Sequence, residues 1–386
     1  MYNILTLNEI AEKGINELPG DQFTVGKDIN NPDGILVRSA KITELNDNLL
    51  AIARAGAGTN NIPVSDCTKK GIPVFNTPGA NAHSVKELVI AGLLLASRDV
   101  HAAINWTQSL TPTDEVPTWV EKNKSKFTGP EIMGKTLGVV GLGAIGGLVA
   151  NLSHRMGMHV IGFDPYLTID AAWRISNKVE KVTVEEESAM YGALDYLTVH
   201  IPATDQTRHK FDADFFKKCK PGIKIINFSR AELFDNDALL EALESGIVSK
   251  YVTDFPSAKL LGHPSIITLP HLGSSTPEAE ENCAVMAGAE IRDYLLYGEI
   301  RNSVNFPSCR LPYVGKNRIC IFHQNVPNVI SSLTTVLGKY NFNISEMLSR
   351  SSGEVVYTMI DVDDHERDLP EEEILAINGL LRGRFL

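Results

Sequence analysis

The hydrophobic positions of this chain fall into short runs that alternate with amphipathic stretches. In the first 97 residues, apolar runs at 34–38, 50–53 and 72–75 predict buried strands, and residues 81–97 predict a helix with a broad apolar face. Strands that alternate with helices are typical of βαβ units, whose strands pair in parallel. We therefore expect an α/β domain built around a parallel sheet.

A second alternating pattern begins at Gly134. It predicts at least five strands, at residues 136–140, 159–163, 196–200, 224–228 and 265–269. Such an order predicts a doubly wound parallel sheet. One long amphipathic helix is expected to follow, at residues 277–296.

The segment 106–130 separates the two patterns and differs from both. It is polar, is interrupted by three prolines and carries two of the three tryptophans of the chain. It can be read as a solvated loop, or as an arm that packs on another subunit, because tryptophan is enriched at interfaces.

A third pattern follows Pro312. It predicts strands at 318–323, 344–350, 355–360 and 381–386, with helices at 327–340 and 370–379. The order βαββαβ is that of the split-βαβ, ferredoxin-like fold. The pattern thus predicts the α/β class, with two parallel-sheet domains, the second of them doubly wound, and a small C-terminal βαββαβ domain.

Composition narrows the possible partners. The chain has 386 residues, 43% of them hydrophobic, and a net charge of −11, which speaks against a nucleic-acid-binding or membrane-binding surface. Its five cysteines form no C-x-x-C pair, so we expect reduced thiols and no metal site. No signal peptide and no membrane-spanning run is apparent, and we expect a cytoplasmic protein.

Residues 134–147 read GKTLGVVGLGAIGG, in which an apolar strand leads into Gly141-x-Gly143-x-x-Gly146. In this motif the first glycine permits a tight turn, the second admits a pyrophosphate, and the third lets the helix pack on the strand. Asp164 lies at the end of the next strand, where a carboxylate accepts the ribose hydroxyls of NAD and repels the 2′-phosphate of NADP. The sequence therefore predicts an NAD site. The alternatives are a glycine-rich turn without a ligand and a helix-capping role for Asp164.

Two further polar residues follow predicted strands of the same sheet. Arg230 comes after strand 224–228, and His271 comes after strand 265–269. Oxidation of a 2-hydroxy acid needs a base for the hydroxyl proton, and histidine titrates near neutrality. It also needs a cation that holds the carboxylate, which the planar fork of arginine does well. Each residue alone could instead be a surface arginine or a helix-capping histidine.

These segments, with NFSRAELFDNDALLEAL, TDFP and LPHLGSSTPEAEENCAVMA, resemble the D-isomer-specific 2-hydroxyacid dehydrogenases. The resemblance covers essentially the whole chain and implies two Rossmann-like doubly wound parallel-sheet domains. The first is a substrate-binding domain of residues 1–97 and 283–305. The second is a Rossmann domain of residues 98–282 that binds NAD, and an ACT-like regulatory domain of residues 314–386 follows. The resemblance also implies a homodimer or homotetramer.

The resemblance implies a role for each site residue. Arg230 would bind the substrate carboxylate and carbonyl, and His271 would be the acid/base. The NAD site would comprise Gly141, Gly143, Ala144, Ile145, Gly146, Asp164, Ile201, Pro202, Ser229, Asp254, Gly273 and Ser274. The substrate site would comprise Arg38, Ser39, Arg54, Gly56, Ala57, Gly58, Asn76 and Asn81. For the glycines and asparagines of this loop region, ordinary turn formation is the alternative.

The chain departs from the family between Asp254 and His271. Most members carry a glutamate there that pairs with the imidazole, whereas residues 255–265 here contain no carboxylate. Ser257, Ala258 and Lys259 stand where relatives place an acid. Asp254 and, less directly, Glu278 are the candidate substitutes, and an imidazole without a partner is the other possibility.

The ACT-like segment departs as well, because Asn328 occupies the glycine position of the usual N-x-P-G loop. Asparagine tolerates positive φ better than most residues. Asn325 and Asn343 are the candidate contacts for L-serine as an effector. The alternative is a domain that only forms oligomers.

The expected reaction is NAD-dependent oxidation of D-3-phosphoglycerate to 3-phosphohydroxypyruvate, the first step of L-serine biosynthesis. Another D-2-hydroxy acid such as 2-hydroxyglutarate is the alternative substrate, although Arg38 and Arg54 favour a phosphorylated or dianionic one. A non-catalytic NAD(H)-sensing protein, as among the C-terminal-binding corepressors, is the alternative outside enzymes.

Overall fold

The computed structural model describes residues 1–315, 317–363 and 368–386, which form two compact units. The first unit comprises Met1–Asn81 and Pro277–Leu386, and the second comprises Ala82–Thr276. The α/β class with parallel sheets is confirmed.

The first unit begins with a parallel sheet of five strands in the order β2-β1-β3-β4-β5. The strands and the two short helices between them are Tyr2–Leu7 (β1), Glu12–Ile15 (α1), Phe23–Gly26 (β2), Gly34–Val37 (β3), Ala51–Arg54 (β4), Val64–Lys69 (α2) and Val74–Phe75 (β5). The central strands β3 and β4 consist almost entirely of buried apolar residues, as expected for parallel strands covered on both faces.

The second unit is organised around seven parallel strands in the order β12-β11-β10-β9-β6-β7-β8. The strands are Thr136–Val140 (β6), His159–Phe163 (β7), Glu180–Val182 (β8), Tyr196–Val199 (β9), Ile223–Asn227 (β10), Val248–Thr253 (β11) and Ile266–Thr268 (β12). The helices are Ala82–Ser97 (α3), Val100–Gln108 (α4), Val116–Asn123 (α5), Ala144–Arg155 (α6), Ile169–Arg174 (α7), Glu187–Met190 (α8), Ala213–Phe216 (α9) and Asn236–Glu244 (α10).

Two features of this unit differ from the sequence-based expectations. The segment 106–130 contains the end of α4, the helix α5 and a 3-10 helix at Lys124–Phe127, and Pro117 stands in the first turn of α5, where a missing N–H is tolerated. The contacts also divide the chain before α3 rather than after residue 97, since α3 packs on α6, β10 and β11.

The chain returns to the first unit through one long helix, Pro277–Tyr297 (α11), and ends in a four-stranded antiparallel sheet of order β14-β15-β13-β16. The elements of this C-terminal part are Asn317–Gln324 (β13), Val329–Lys339 (α12), Ile344–Ser352 (β14), Val355–Val362 (β15), Glu371–Leu375 (α13) and Leu380–Phe385 (β16). Their order is the predicted βαββαβ.

Strands β13 and β15 of the C-terminal sheet are buried on both faces, whereas the edge strand β14 is largely exposed. Ile319, Ile321 and Ile360 pack with α12 and α13. Phe322 and Tyr357 belong instead to the cluster that contains α11 and the first parallel sheet. This four-stranded sheet therefore shares a hydrophobic core with the rest of the first unit.

Two buried arginines join the C-terminal sheet to α11. Arg318 has no exposed surface and makes a two-pronged ion pair with Asp361, at 2.6 and 2.7 Å. Arg384 donates to the carbonyls of Tyr294 and Leu295, at 3.0 and 2.9 Å, in the last turn of α11. Cations at a helix C-terminus also interact favourably with the helix dipole.

All five cysteines are buried and free. Within the part of the chain that the structure describes, no helix is long and apolar enough to cross a bilayer, and no cluster of metal-binding side chains occurs.

Candidate active site

The glycine turn after β6 has the steric character that the dinucleotide motif requires. Gly141 adopts φ +90°, and a Cβ there would lie 2.5 Å from the carbonyl oxygen of His200. A Cβ on Gly146 would lie 1.8 Å from the carbonyl oxygen of Gly141. Apart from its neighbours in the chain, no atom of the described residues lies within 4 Å of the Cβ position of Gly143, so the backbone is open there. Helix α6 begins directly after Gly143, with Ala144 and Ile145 in its first turn, and its N-terminal amides suit a pyrophosphate.

Asp164 is held beside this turn. Its Oδ2 accepts from the amide of Leu142 at 2.9 Å, and its Oδ1 accepts from the amide of Tyr166 at 2.9 Å. The carboxylate is thus fixed where the sequence places the ribose-binding acid. The residues present fit a dinucleotide such as NAD.

The adjoining strand end contributes His200, which the sequence analysis did not single out. Its Nε2 lies 3.1 Å from the Thr198 hydroxyl, and burial lowers the pKa of His200 to about 3. A neutral His200 adds no positive charge to the glycine turn. Ile201 and Pro202 follow, and the Ile201 carbonyl accepts from the Ser229 hydroxyl at 2.7 Å.

Arg230 follows β10 in a loop that Asn227 organises. The buried Asn227 amide group donates to the Arg230 carbonyl at 2.9 Å and to the Tyr251 hydroxyl at 3.1 Å. The Arg230 side chain is exposed, and its Nη1 donates to the Ser229 carbonyl at 2.7 Å. The sequence analysis did not predict a role for Asn227. Its sequence signal is that a polar residue ends an apolar strand.

Strand β11, which the sequence analysis did not predict, lies between β10 and β12. It positions Asp254 directly after its last residue. The three residues Arg230, Asp254 and His271 therefore follow three neighbouring parallel strands, at the edge where open α/β sheets bind ligands.

Asp254 is the buried member of this group. It is 1% exposed, and its Oδ2 lies 3.6 Å from Nδ1 of His271, whose side chain is 59% exposed. Burial raises the pKa of Asp254, while the charges of His271 and Arg230 lower it. Gly273 lies close by, with its Cβ position 3.7 Å from Asp254 Oδ2, and its carbonyl accepts from the Ser84 hydroxyl at 2.8 Å. Ser274 follows in the same half-buried turn.

Apart from Arg230, the residues predicted to bind substrate belong to the first unit, where Arg38 follows β3 and Arg54 ends β4. Arg54 donates from Nε to the Arg38 carbonyl at 2.9 Å and from Nη1 to the Gly58 carbonyl. Arg38 forms an ion pair of 2.5 Å with Glu280.

The loop after Arg54 is tied inward through its carbonyls. The Ala57 carbonyl accepts from the Asn76 side chain at 2.5 Å, and the Gly56 carbonyl accepts from the Thr77 amide at 3.2 Å. Ser39 donates its amide to Asn8 at 2.9 Å, and Asn81 is the half-buried last residue of this segment.

The two candidate effector contacts lie at opposite ends of strand β15. Asn325 donates to the Gly353 carbonyl at 3.0 Å, in the turn before the strand. Asn343 donates to Asp363 at 2.6 Å, after the strand ends. A single chain therefore does not bring the two side chains together. Asn328, which replaces the usual glycine, adopts φ +72°.

Comparison with known proteins agrees with this geometry. Residues 90–273 match the family "D-isomer specific 2-hydroxyacid dehydrogenase, NAD binding domain". A D-3-phosphoglycerate dehydrogenase of Escherichia coli K12 is 31% identical over 354 residues, with 88% of this chain and 82% of the relative covered. One of Bacillus subtilis 168 is 34% identical over 330 residues, which are 80% of this chain but 60% of the relative.

A solved structure shares the fold. The crystal structure of cofactor (NAD+)-bound 3-phosphoglycerate dehydrogenase of Entamoeba histolytica has a TM-score of 0.60 at 24% identity, with 78% of this chain and 98% of the other covered. The chain thus belongs to the D-isomer specific 2-hydroxyacid dehydrogenases and carries the NAD-binding domain of that family.

Proposed function

We propose that this protein oxidises D-3-phosphoglycerate to 3-phosphohydroxypyruvate with NAD, the first step of L-serine biosynthesis. One observation carries the proposal. Arg230, the buried Asp254 and His271 follow three neighbouring strands of the sheet that also contains the glycine turn. The names of the relatives support the choice of substrate.

The oxidation removes a hydride from the substrate carbon and a proton from its hydroxyl group, and each of the two needs an acceptor. NAD, when bound, supplies the acceptor for the hydride. His271 takes the hydroxyl proton, and the electrons of the broken O–H bond form the carbonyl. Arg230, exposed and cationic, binds the carboxylate and the developing carbonyl oxygen. Asp164, Gly141, Gly143 and Gly146 hold the dinucleotide.

The first unit is proposed to bind the anionic groups of the substrate. Arg38 would bind the phosphate, in exchange for its present partner Glu280. The amides of residues 57–60 would bind a carboxylate, because the amides of Ala55 and Gly56 already donate to the carbonyls of Val37 and Arg54.

The test is NADH formation from D-3-phosphoglycerate, with D-2-hydroxyglutarate as the competing substrate, over a range of pH. We expect His271→Ala to lower kcat by about 100-fold or more while NAD binding is kept. The control is His159→Ala, an exposed histidine at the start of β7. If NAD binds but no acid yields NADH at any pH, the chain is an NAD-binding protein without this activity.

We also propose a homodimer through the arm formed by α4 and α5. Ile104 is 49% exposed and Val100 is 40% exposed, beside a groove of about 340 Å³ that Trp106 and Phe127 line. Exposed apolar patches of this kind mark interaction sites. Ile104→Glu should yield monomers in light scattering after gel filtration, whereas Thr107→Ser should leave the dimer intact.

The C-terminal sheet is proposed to be an ACT domain that binds L-serine between two chains, through Asn325 of one chain and Asn343 of the other. Its βαββαβ order and the φ of Asn328 support this. Calorimetric titration with L-serine tests it, and heats equal to those of D-serine would reject the effector role. In that case the domain would serve oligomer formation alone, as the contact that extends a dimer to a tetramer.

A further inference from the structure

Asp254 is a buried acidic side chain that lacks, within the part of the chain that the structure describes, the hydrogen bonds that usually accompany a buried carboxylate. Both carboxyl oxygens are fully buried, and within the described residues neither has a hydrogen-bond partner of normal geometry. A bare carboxylate in such a place is strongly destabilising unless a cation or a proton balances it. The position therefore calls for a charged neighbour.

The groups that face Asp254 identify this neighbour. His271 is closest, with its Nδ1 at 3.6 Å from Oδ2. Arg230 lies within Coulombic reach on the neighbouring strand end, and Tyr251 on β11 has its pKa raised to about 12, mainly by its burial. The amides of Asp254 itself and of Gly273 also favour the ionised carboxyl.

No other acid takes this place in the loop between Asp254 and His271. Lys259 is turned to Asp237, with an ion pair of 2.6 Å, and the Ser257 hydroxyl is buried without a partner among the described residues. Phe255 packs its ring on the imidazole, with centroids 5.0 Å apart, and so limits the rotation of the ring. Glu278 belongs to the first unit.

We propose that Asp254 is the positioning residue for His271 and faces its Nδ1, so that Nε2 is directed to the substrate hydroxyl. The proposal rests on the proposed function. It gives this carboxylate the task that a glutamate of the following loop has in most of the family.

The separation of 3.6 Å defines the nature of the pair. It exceeds the length of a hydrogen bond but lies within ion-pair distance, so the attraction in this structure is mainly Coulombic. When His271 takes the substrate proton, the imidazolium forms beside a carboxylate whose oxygens have no hydrogen-bond partner of normal geometry among the described residues. Catalytic contacts of this kind often shorten once substrate is bound.

The decisive variant is Asp254→Asn, which keeps the shape of the side chain and removes its charge. An opposite charge at this distance shifts the titration of its neighbour by about 1–3 pH units. We expect the alkaline limb of the pH profile for ketone reduction to move to lower pH by about one unit or more. We also expect kcat to fall at least about tenfold, with a smaller change in KM for NADH. Asp254→Glu should restore part of the profile.

A measurement without turnover separates this proposal from the function on which it rests. The NMR titration of the His271 ring, assigned with His271→Ala, should have a lower midpoint in Asp254→Asn than in the native protein. His263, in the same loop, is the internal reference, and Asp214→Asn, an exposed acid paired with Lys217, is the control variant.

Each outcome decides one question. A shifted His271 midpoint supports the pair even if no acid proves to be a substrate, in which case only the proposed function fails. An unchanged midpoint and pH profile, with weaker NAD binding, would overturn the pair and leave Asp254 as a cofactor contact.

Discussion

The two parallel sheets place arginines at the same kind of position and treat them differently. In the first unit, Arg38 and Arg54 follow neighbouring strands, and both are engaged by groups of the protein: a carboxylate for one, backbone carbonyls for the other. In the second unit, Arg230 is exposed and donates to the Ser229 carbonyl, and the buried Asp254 has no hydrogen-bond partner of normal geometry within the described residues. The carboxyl end of a parallel sheet thus indicates where a site can form. The partners of the charged residues there indicate which of the two sheets has groups available for catalysis.

The largest expected effect separates the two kinds of arginine by activity. Arg230→Lys removes the planar fork, and we expect kcat/KM to fall by about two to three orders of magnitude, because the carboxylate and the carbonyl lose a bidentate partner. The melting temperature should stay unchanged, since the side chain is exposed. If the melting temperature of the variant also fell clearly, the loss of activity would reflect a loss of folded structure, and the distinction between the two sheet ends would be contradicted.

Arg54→Ala should show the opposite behaviour. The carbonyls of Arg38 and Gly58 lose their donor, and we expect the free energy of unfolding to fall by about 1–3 kcal/mol. NAD binding, measured by titration, should not change, because the NAD-binding residues lie in the second unit. Arg155→Ala, an exposed arginine of α6, provides the control.

The two units can also be compared through their buried carboxyl groups, and Glu290 is one of those in the first unit. Burial raises the pKa of Glu290 to about 8, although the Asn302 amide group donates to it at 2.6 Å. The folded state therefore holds a proton that the unfolded chain releases near pH 4.5, and this contribution to stability is lost as the pH rises towards 8 and above. Glu290→Gln should melt like the native protein near pH 4.5 and a few degrees higher at pH 9. If the difference in melting temperature between the variant and the native protein were the same at both pH values, this prediction would be contradicted.

The smallest effect concerns the pair that occupies Arg38. Glu280→Gln removes its carboxylate partner. Half-exposed pairs contribute about 0–1 kcal/mol, so we expect KM for a phosphorylated substrate to fall by up to about fivefold with kcat unchanged. Glu281→Gln, which breaks the neighbouring pair with Lys13, is the matched control. An equal effect of both variants would show a general change of charge rather than release of Arg38.

The sequence predicted the elements better than the contacts between them. Strand β6 and the glycine turn follow from local patterns, because the apolar run and the glycines specify one conformation. Strand β11 was missed because Ser249 and Lys250 interrupt its apolar run, yet its position between β10 and β12 is what brings Asp254 to His271. The pairing of Arg38 with Glu280 joins residues 242 positions apart, and no local pattern contains it.

The C-terminal residues have a consequence for how this chain can be shortened. The guanidinium of Arg384 closes the end of a helix whose other residues line the centre of the first unit, and Phe322 fills the same centre from the neighbouring strand. Deleting the last seventy residues would leave an apolar surface and unbonded carbonyls where that helix now ends. A mutation in the tail can accordingly abolish folding without touching any residue that meets a ligand.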